Sequence, residues 1–151
     1  MALMNEPIQP GAGTSDAASG HDTPPVDGAR FRELLCAAQS WLDRHHEIVN
    51  ALNVFPVPDG DTGTNMLLTM KSACREVTDE HITSVGSAAK AAAHGALMGA
   101  RGNSGVILSQ ILRGMAKDLA DSRVLTGAGF AAALSEGSRI AYKGVNRPVE
   151  G

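Results

Sequence analysis

The segment 52–66 reads LNVFPVPDGDTGTNM and decides the fold, because it separates two helical patterns and gathers polar residues between them. Two prolines stand at alternate positions in its first half, and prolines so placed exclude a helix interior. Asp59 and Asp61 flank Gly60, which lets the backbone turn tightly between the two carboxylates. The segment therefore predicts a rigid approach, a polar loop and the start of a new helix.

On both sides of this segment, apolar residues recur at steps of three and four, which is the period of an amphipathic helix. No alternating strand pattern and no hairpin signal occurs, so the sequence predicts an all-α fold. The expected helices are a first from an Asp27 cap to before Asn53, a second carrying Met66–Val77, a third from a Thr83 or Ser84 cap to Met98, a fourth from an Asn103 or Ser104 cap to Leu119, and a fifth opened by Thr126.

Composition and charge narrow the class of protein. Aromatic residues make up only 3% of the 151, and a core of small side chains suits close helix packing. The net charge of −3 and the lack of a basic stripe argue against a nucleic-acid partner, and no apolar run approaches the ~20 residues of a membrane span. Residues 1–26 are expected to be a disordered leader without signal-peptide features, and residues 27–151 a domain. Cys36 and Cys74 lie far apart, each on an apolar helical stripe. They are interpreted either as a disulfide or metal pair or, as is favoured, as two small buried residues that stay reduced in the cytoplasm.

The acidic loop has two interpretations. Asp59 and Asp61, with one residue between them, can direct oxygens at a shared hard cation such as Mg²⁺, which also recruits phosphate oxygens. Alternatively, Asp61 or Thr62 caps the following helix while Asp59 closes a local turn. The three residues Asp-Gly-Asp taken alone favour the second, purely structural interpretation.

A second loop, GARGNSG at 99–105, stands just before the fourth apolar pattern. Its glycines can turn backbone N–H groups toward an anion with a helix dipole behind them, and Arg101 can add a bidentate phosphate contact. The alternative is a plain glycine-rich turn between helices. Together, the acidic loop and this glycine-rich loop predict a magnesium and phosphate site between two helix N-termini.

The string at 52–66 and the string LMGARGNSGVILSQ at 97–110 resemble, in order and separation, two signatures of one nucleotide-binding domain. Dihydroxyacetone (glycerone) kinases and bacterial fatty acid kinases share this L-type domain. The form of both strings looks closer to the N-terminal domain of the ATP-binding component of fatty acid kinases. The resemblance covers roughly residues 28–151 and implies a barrel of antiparallel helices with Mg-ATP bound at one rim.

The resemblance also implies roles for individual residues. Asp59 and Asp61 would hold Mg²⁺ and act in catalysis through it. Asn53 stands where the dihydroxyacetone branch typically has an acid, so it would be a neutral metal ligand. The residues expected against the phosphates of ATP are Thr62, Gly63 and Asn65 on one side and Arg101, Gly102, Asn103, Ser104 and Gly105 on the other.

The activity implied is that of an ATP-dependent kinase whose acceptor is presented by a separate protein. In the fatty acid kinase branch, this partner is an acyl-binding protein that offers a fatty acid carboxylate, and the product is an acyl phosphate. The alternatives are a non-catalytic nucleotide-binding or regulatory module and a plain helical interaction protein. Family members continue beyond Gly151, so we expect the chain to form a truncated, open barrel that exposes apolar faces and has little activity of its own. The full-length protein is a candidate homodimer.

Overall fold

The computed structural model describes residues 25–54, 58–78 and 82–144. In these ranges the chain forms five helices, and its only β-type pairing is a single bridge between Val26 and Leu125. The all-α prediction is therefore confirmed, while the predicted leader lies outside the described residues except for its last two. The helices are α1 (Gly28–Ala51), α2 (Thr62–Glu76), α3 (Val85–Met98), α4 (Gly102–Asp118) and α5 (Gly127–Gly144).

Three helices begin where the capping residues predict. The side chains of Asp27 and Ser84 each accept a hydrogen bond from the backbone N–H three residues later, at 2.8 Å and 3.2 Å. Thr126 does the same with its hydroxyl at the start of α5, at 3.1 Å. Each of these bonds satisfies one of the N–H groups that the first turn of a helix leaves without a partner.

The predicted start of α4 is wrong. Its N-cap is Arg101 and the helix begins at Gly102, so Asn103 and Ser104 lie inside the first turn and neither caps it. Gly102 has φ +56°, a left-handed conformation that glycine adopts without strain and that turns the chain into the helix early. The Ser104 hydroxyl is used on another helix, where it donates to the carbonyl oxygen of Thr62.

Each helix packs against the next along the chain, and α2 contacts α1, α3 and α4. The ion pair between Asp43 and Lys71, 3.0 Å long, joins α1 to α2. Gly114 and Gly137 let the backbones of α4 and α5 approach closely, because a Cβ on Gly114 would overlap the backbone of Gly137. As predicted, small side chains fill the interior; its fully covered alanines are Ala73, Ala88, Ala96 and Ala133.

The first and last helices each carry an open apolar face. Among the described helices, α5 packs only against α4, and α1 packs against α2 and α3. On these outer faces Trp41 and Ile48 of α1 are 57% and 61% exposed, and Phe130 and Leu134 of α5 are 44% and 42% exposed. Within the described part of the chain, no helix has the length and apolar character needed to span a membrane.

Candidate functional site

The N-terminal ends of α2 and α4 lie side by side, and this arrangement brings the two predicted loops together. The Ser104 hydroxyl in the first turn of α4 donates to the Thr62 carbonyl oxygen at 3.4 Å. Gly102 lies directly against the Asn65 side chain, because a Cβ at this position would overlap the amide. Two helix N-termini therefore present backbone N–H groups and positive dipole ends to one region.

Thr69 holds the two loops at a fixed separation, and the sequence analysis did not identify it. Its hydroxyl donates to the Asn65 carbonyl oxygen at 2.8 Å and accepts from the Arg101 backbone N–H at 3.3 Å. The residue is fully buried, and buried polar groups need such partners. The available signal was a hydroxyl on the apolar face of α2, between Leu67 and Met70.

Asn50, near the end of α1, is a second residue that the sequence analysis missed. Its amide oxygen accepts from the Thr64 backbone N–H at 3.1 Å, and its amide nitrogen donates to the Thr64 hydroxyl at 3.0 Å. Gly63 permits this contact, since a Cβ there would overlap the His46 carbonyl group. Asn50 thereby satisfies the N–H group in the first turn of α2 that an N-cap side chain ordinarily takes.

Asp61 is the N-cap residue of α2, but its side chain makes no capping hydrogen bond. The structural interpretation is therefore right about the position of the cap, but the side-chain hydrogen bond that a capping Asp61 would make comes instead from Asn50 on another helix. The Asp61 carboxylate is exposed at the end of the acidic loop. It is thus available to a cation or another ligand from solvent.

Asp59 is held by an amide on the approach to the loop. Asn53 donates from Nδ2 to a carboxylate oxygen of Asp59 at 2.5 Å. Gly60, with φ +64°, makes the turn between the two exposed acids. Asn53 therefore orients Asp59 through its nitrogen; the predicted ligand role would require its oxygen and stays a prediction.

The two carboxylates fit a cation that is shared with phosphate. In the described ranges, no group of three or more histidine, cysteine, aspartate or glutamate side chains could hold a metal ion by itself. Mg²⁺ does not require such a cage, because it commonly binds one or two carboxylates, several waters and substrate phosphate oxygens. Asp59 and Asp61 supply two exposed carboxylates of this kind, and their role as magnesium ligands stays a prediction.

The first turn of α4 provides the anion-binding groups. The first helical hydrogen bond runs from Gly105 N–H to the Arg101 carbonyl oxygen at 2.9 Å, so the N–H groups of Gly102, Asn103 and Ser104 precede it. Such N–H groups at a helix start are suited to phosphate. Arg101 is among the residues that line a cleft of about 310 Å³ between α2 and α3, and its predicted phosphate contact stays a prediction.

Comparisons with known proteins identify a family for the part of the chain that holds both loops. A family model described as the DAK2 domain matches residues 56–151, which include both loops. The chain is 50% identical over 126 residues to protein YloV of Bacillus subtilis. It is 45% and 43% identical, over the same length, to uncharacterized proteins of Staphylococcus saprophyticus and Staphylococcus epidermidis. Each alignment covers 83% of this chain but only 23% of the relative, so the chain spans about a quarter of these proteins.

Proposed function

The chain belongs to the DAK2 domain family, the L-type domain of the dihydroxyacetone kinase family, and on this premise we propose that it binds Mg-ATP as part of a phosphotransferase. One observation carries the proposal: an acidic loop and a glycine-rich loop meet at two adjacent helix N-termini. The Asp61 carboxylate makes no capping hydrogen bond, because the Asn50 amide oxygen accepts the hydrogen bond from the Thr64 N–H group instead. This combination matches the charges of a cation and a polyphosphate placed side by side.

In this proposal Asp59 and Asp61 bind Mg²⁺, and Asn53 holds Asp59 in position. Bound Mg²⁺ would neutralise the charge that develops on the transferring phosphoryl group. The phosphates lie between the first turns of α2 and α4, where backbone N–H groups and the helix dipoles stabilise their charge. The residues assigned to this contact are Thr62, Gly63, Asn65, Gly102, Asn103 and Ser104, whereas the N–H group of Gly105, which was also predicted, is taken by the Arg101 carbonyl oxygen.

We further propose that the acceptor is a fatty acid carboxylate held by a separate acyl-binding protein in the cytoplasm. A carboxylate oxygen attacks the γ-phosphorus, the bond from that phosphorus to ADP breaks, and an acyl phosphate forms. The support is the form of the strings at 52–66 and 97–110, which resembles the fatty acid kinase branch. Dihydroxyacetone is the competing acceptor within the same superfamily.

The acceptor is tested by incubating the chain with Mg-ATP and either a fatty-acid-loaded acyl-binding protein or dihydroxyacetone. Hydroxylamine traps an acyl phosphate as a hydroxamate, so that even the little activity expected of the chain alone accumulates as product over a long incubation. The proposal predicts hydroxamate only with the loaded protein, with Mg²⁺ and with Asp61 intact. Asp121→Asn, an exposed acid outside the site, is the matched control and should leave the yield unchanged. Phosphorylation of dihydroxyacetone alone would overturn the assigned acceptor, and Mg-dependent ATP binding without any transfer would favour a non-catalytic module.

A further inference from the structure

The register of the antiparallel pair α1 and α2 is fixed by two polar contacts. Asn50 bonds Thr64 at one end, and the Asp43 carboxylate meets the Lys71 ammonium at 3.0 Å nearer the middle. The two α1 residues are seven apart, which is about two helical turns. A further seven residues along the same face of α1 lies Cys36.

On α2 the corresponding face continues from Lys71 to Cys74, at the step of three that keeps residues on one side of a helix, and Thr78 lies just beyond the end of α2. Cys36 and Cys74 accordingly line one cleft of about 320 Å³ between α1 and α2. Both are free thiols in this structure. Residues that the sequence separates by 38 positions are thus neighbours across a helix–helix interface.

We propose that Cys36 and Cys74 form a covalent modification site, in which a peroxide oxidises the two thiols to an intramolecular disulfide. The inference depends on the pairing of α1 with α2 and is independent of the proposed nucleotide site. Cys36 is only partly buried, whereas Cys74 is 8% exposed, so a peroxide in the cleft reaches Cys36 first. Lys71 and Arg75 line the same cleft beside the two thiols.

The reaction balances with one peroxide molecule. The Cys36 thiolate attacks a peroxide oxygen, the O–O bond breaks, and hydroxide leaves to become water, which makes Cys36 a sulfenic acid. The sulfur of Cys74 then attacks the Cys36 sulfur as its proton departs, the S–O bond breaks, and a second water leaves. Burial, together with the adjacent Cys36, raises the pKa of the Cys74 thiol to about 12, so Cys74 stays protonated while Cys36 reacts with the peroxide and loses its proton only as it attacks in the second step.

The disulfide would affect stability more than the candidate site. Cys36 lies 14 residues from Asn50, or about 21 Å along α1 at 1.5 Å per residue. The bond would instead close a chain segment that includes the acidic loop and most of α2, and such closure restricts the unfolded chain. We expect oxidation to raise the melting temperature by several degrees and to leave the affinity for Mg-ATP nearly unchanged.

The test is peroxide treatment of the 151-residue chain, followed by alkylation of remaining thiols, trypsin digestion without reductant and mass spectrometry. Cleavage after Arg32, Arg44, Lys71 and Arg75 predicts peptide 33–44 linked to peptide 72–75, with the link and the gain in melting temperature both removed by dithiothreitol. Cys36→Ser should lose both effects. The proposal would be overturned if the two cysteines were alkylated separately, if they formed sulfinic acids, or if disulfides formed only between chains. Peptide mapping of the unmutated chain distinguishes these outcomes even if a variant fails to fold.

Discussion

Asn50 uses both polar atoms of its side-chain amide on Thr64, and these two bonds take the place of an N-cap side chain at the start of α2. The adjacent Asp61 makes no capping bond and is exposed. At the scale of single residues, the site thus depends on a division of tasks. An amide from α1 supports the helix start, and the carboxylates remain available to a ligand.

Replacement of Asn50 tests this division of tasks. Asn50→Ala should lower the free energy of unfolding by about 1 kcal/mol, the usual effect of losing a helix cap. It should also weaken Mg-ATP binding, because the first turn of α2 loses its support. Denaturant unfolding and an ATP titration measure the two effects. Ser40→Ala is the control, since Ser40 is exposed on the same helix and bonds only within it; equal results for the two variants would contradict the assignment.

Gly102 offers a second test at the residue scale. Gly102→Ala should lower the free energy of unfolding by about 1–2 kcal/mol, because φ is +56° and a Cβ would overlap the Asn65 amide. Gly127→Ala, at the start of α5, is the matched control, since a Cβ there meets nothing within 4 Å. A neutral Gly102→Ala in the same unfolding experiment would show that the loop does not require this close approach.

At this scale, the sequence predicts much of the candidate site, but it does not predict the residues that hold the site in place. Asp59 and Asp61 are identifiable because paired acids around a glycine are a local pattern. Asn50 bonds a residue 14 positions away and Thr69 bonds one 32 positions away, so their roles arise only when α1, α2 and α4 pack together. No local pattern encodes such a contact.

At the scale of the elements, α5 is attached to α4 by a close glycine crossing and by one carboxylate. Glu136 on α5 accepts from the Lys117 ammonium of α4 at 3.1 Å and from the Arg139 guanidinium of its own helix. The hydrogen bonds from Arg139, and then from Lys117, lower the pKa of Glu136 to about 2. The ionised carboxylate is therefore a part of the α4–α5 interface.

This pKa predicts an acid-sensitive contribution to stability. A lowered pKa stabilises the folded state at pH values above the ordinary pKa of 4.5, and the contribution is lost as pH falls through that range to about 2. Glu136→Gln should thus lower the melting temperature at neutral pH and approach the unmutated chain near pH 2. Glu76→Gln, exposed on α2, is the control and should show no such convergence. A Glu136→Gln difference that does not vary with pH would contradict the assigned pKa.

The helices themselves were largely predictable, because periodicity and capping residues are local. The caps at Asp27 and Ser84 and the opening of α5 at Thr126 are confirmed by their hydrogen bonds. The start of α4 was misplaced because Ser104, a good capping residue, bonds the Thr62 carbonyl oxygen instead. A contact between helices overrode a local preference.

At the scale of the whole molecule, alanines and several larger residues, among them Val77, Val85 and Leu119, fill the interior, while other large apolar side chains remain on the outer faces of α1 and α5. Leu34, Trp41 and Ile48 recur every seven residues and are all exposed, which makes a continuous stripe along α1. Phe130 and Leu134 form a shorter stripe on α5. Contiguous exposed apolar surface of this kind favours association.

We therefore predict that the chain self-associates as its concentration rises. Sedimentation velocity over a range of concentrations should show a growing fraction of larger species, which Phe130→Ser combined with Leu134→Ser should reduce. Val124→Ser is the control, because Val124 is similarly exposed, at 42%, but lies outside both stripes. If the chain stayed monomeric at every concentration, the apolar faces of α1 and α5 would not mediate association.

The most direct test of the central claim, that the two loops form a Mg-ATP site, is a thermal melt of the chain with and without Mg-ATP. Free ligand at a hundred times its dissociation constant should add about 2.7 kcal/mol to the stability of the folded state, enough to raise the melting temperature by several degrees. Asp59→Asn combined with Asp61→Asn should abolish the shift, while Asp121→Asn should retain it. If the unmutated chain melts cooperatively but at the same temperature with and without Mg-ATP, the account is contradicted.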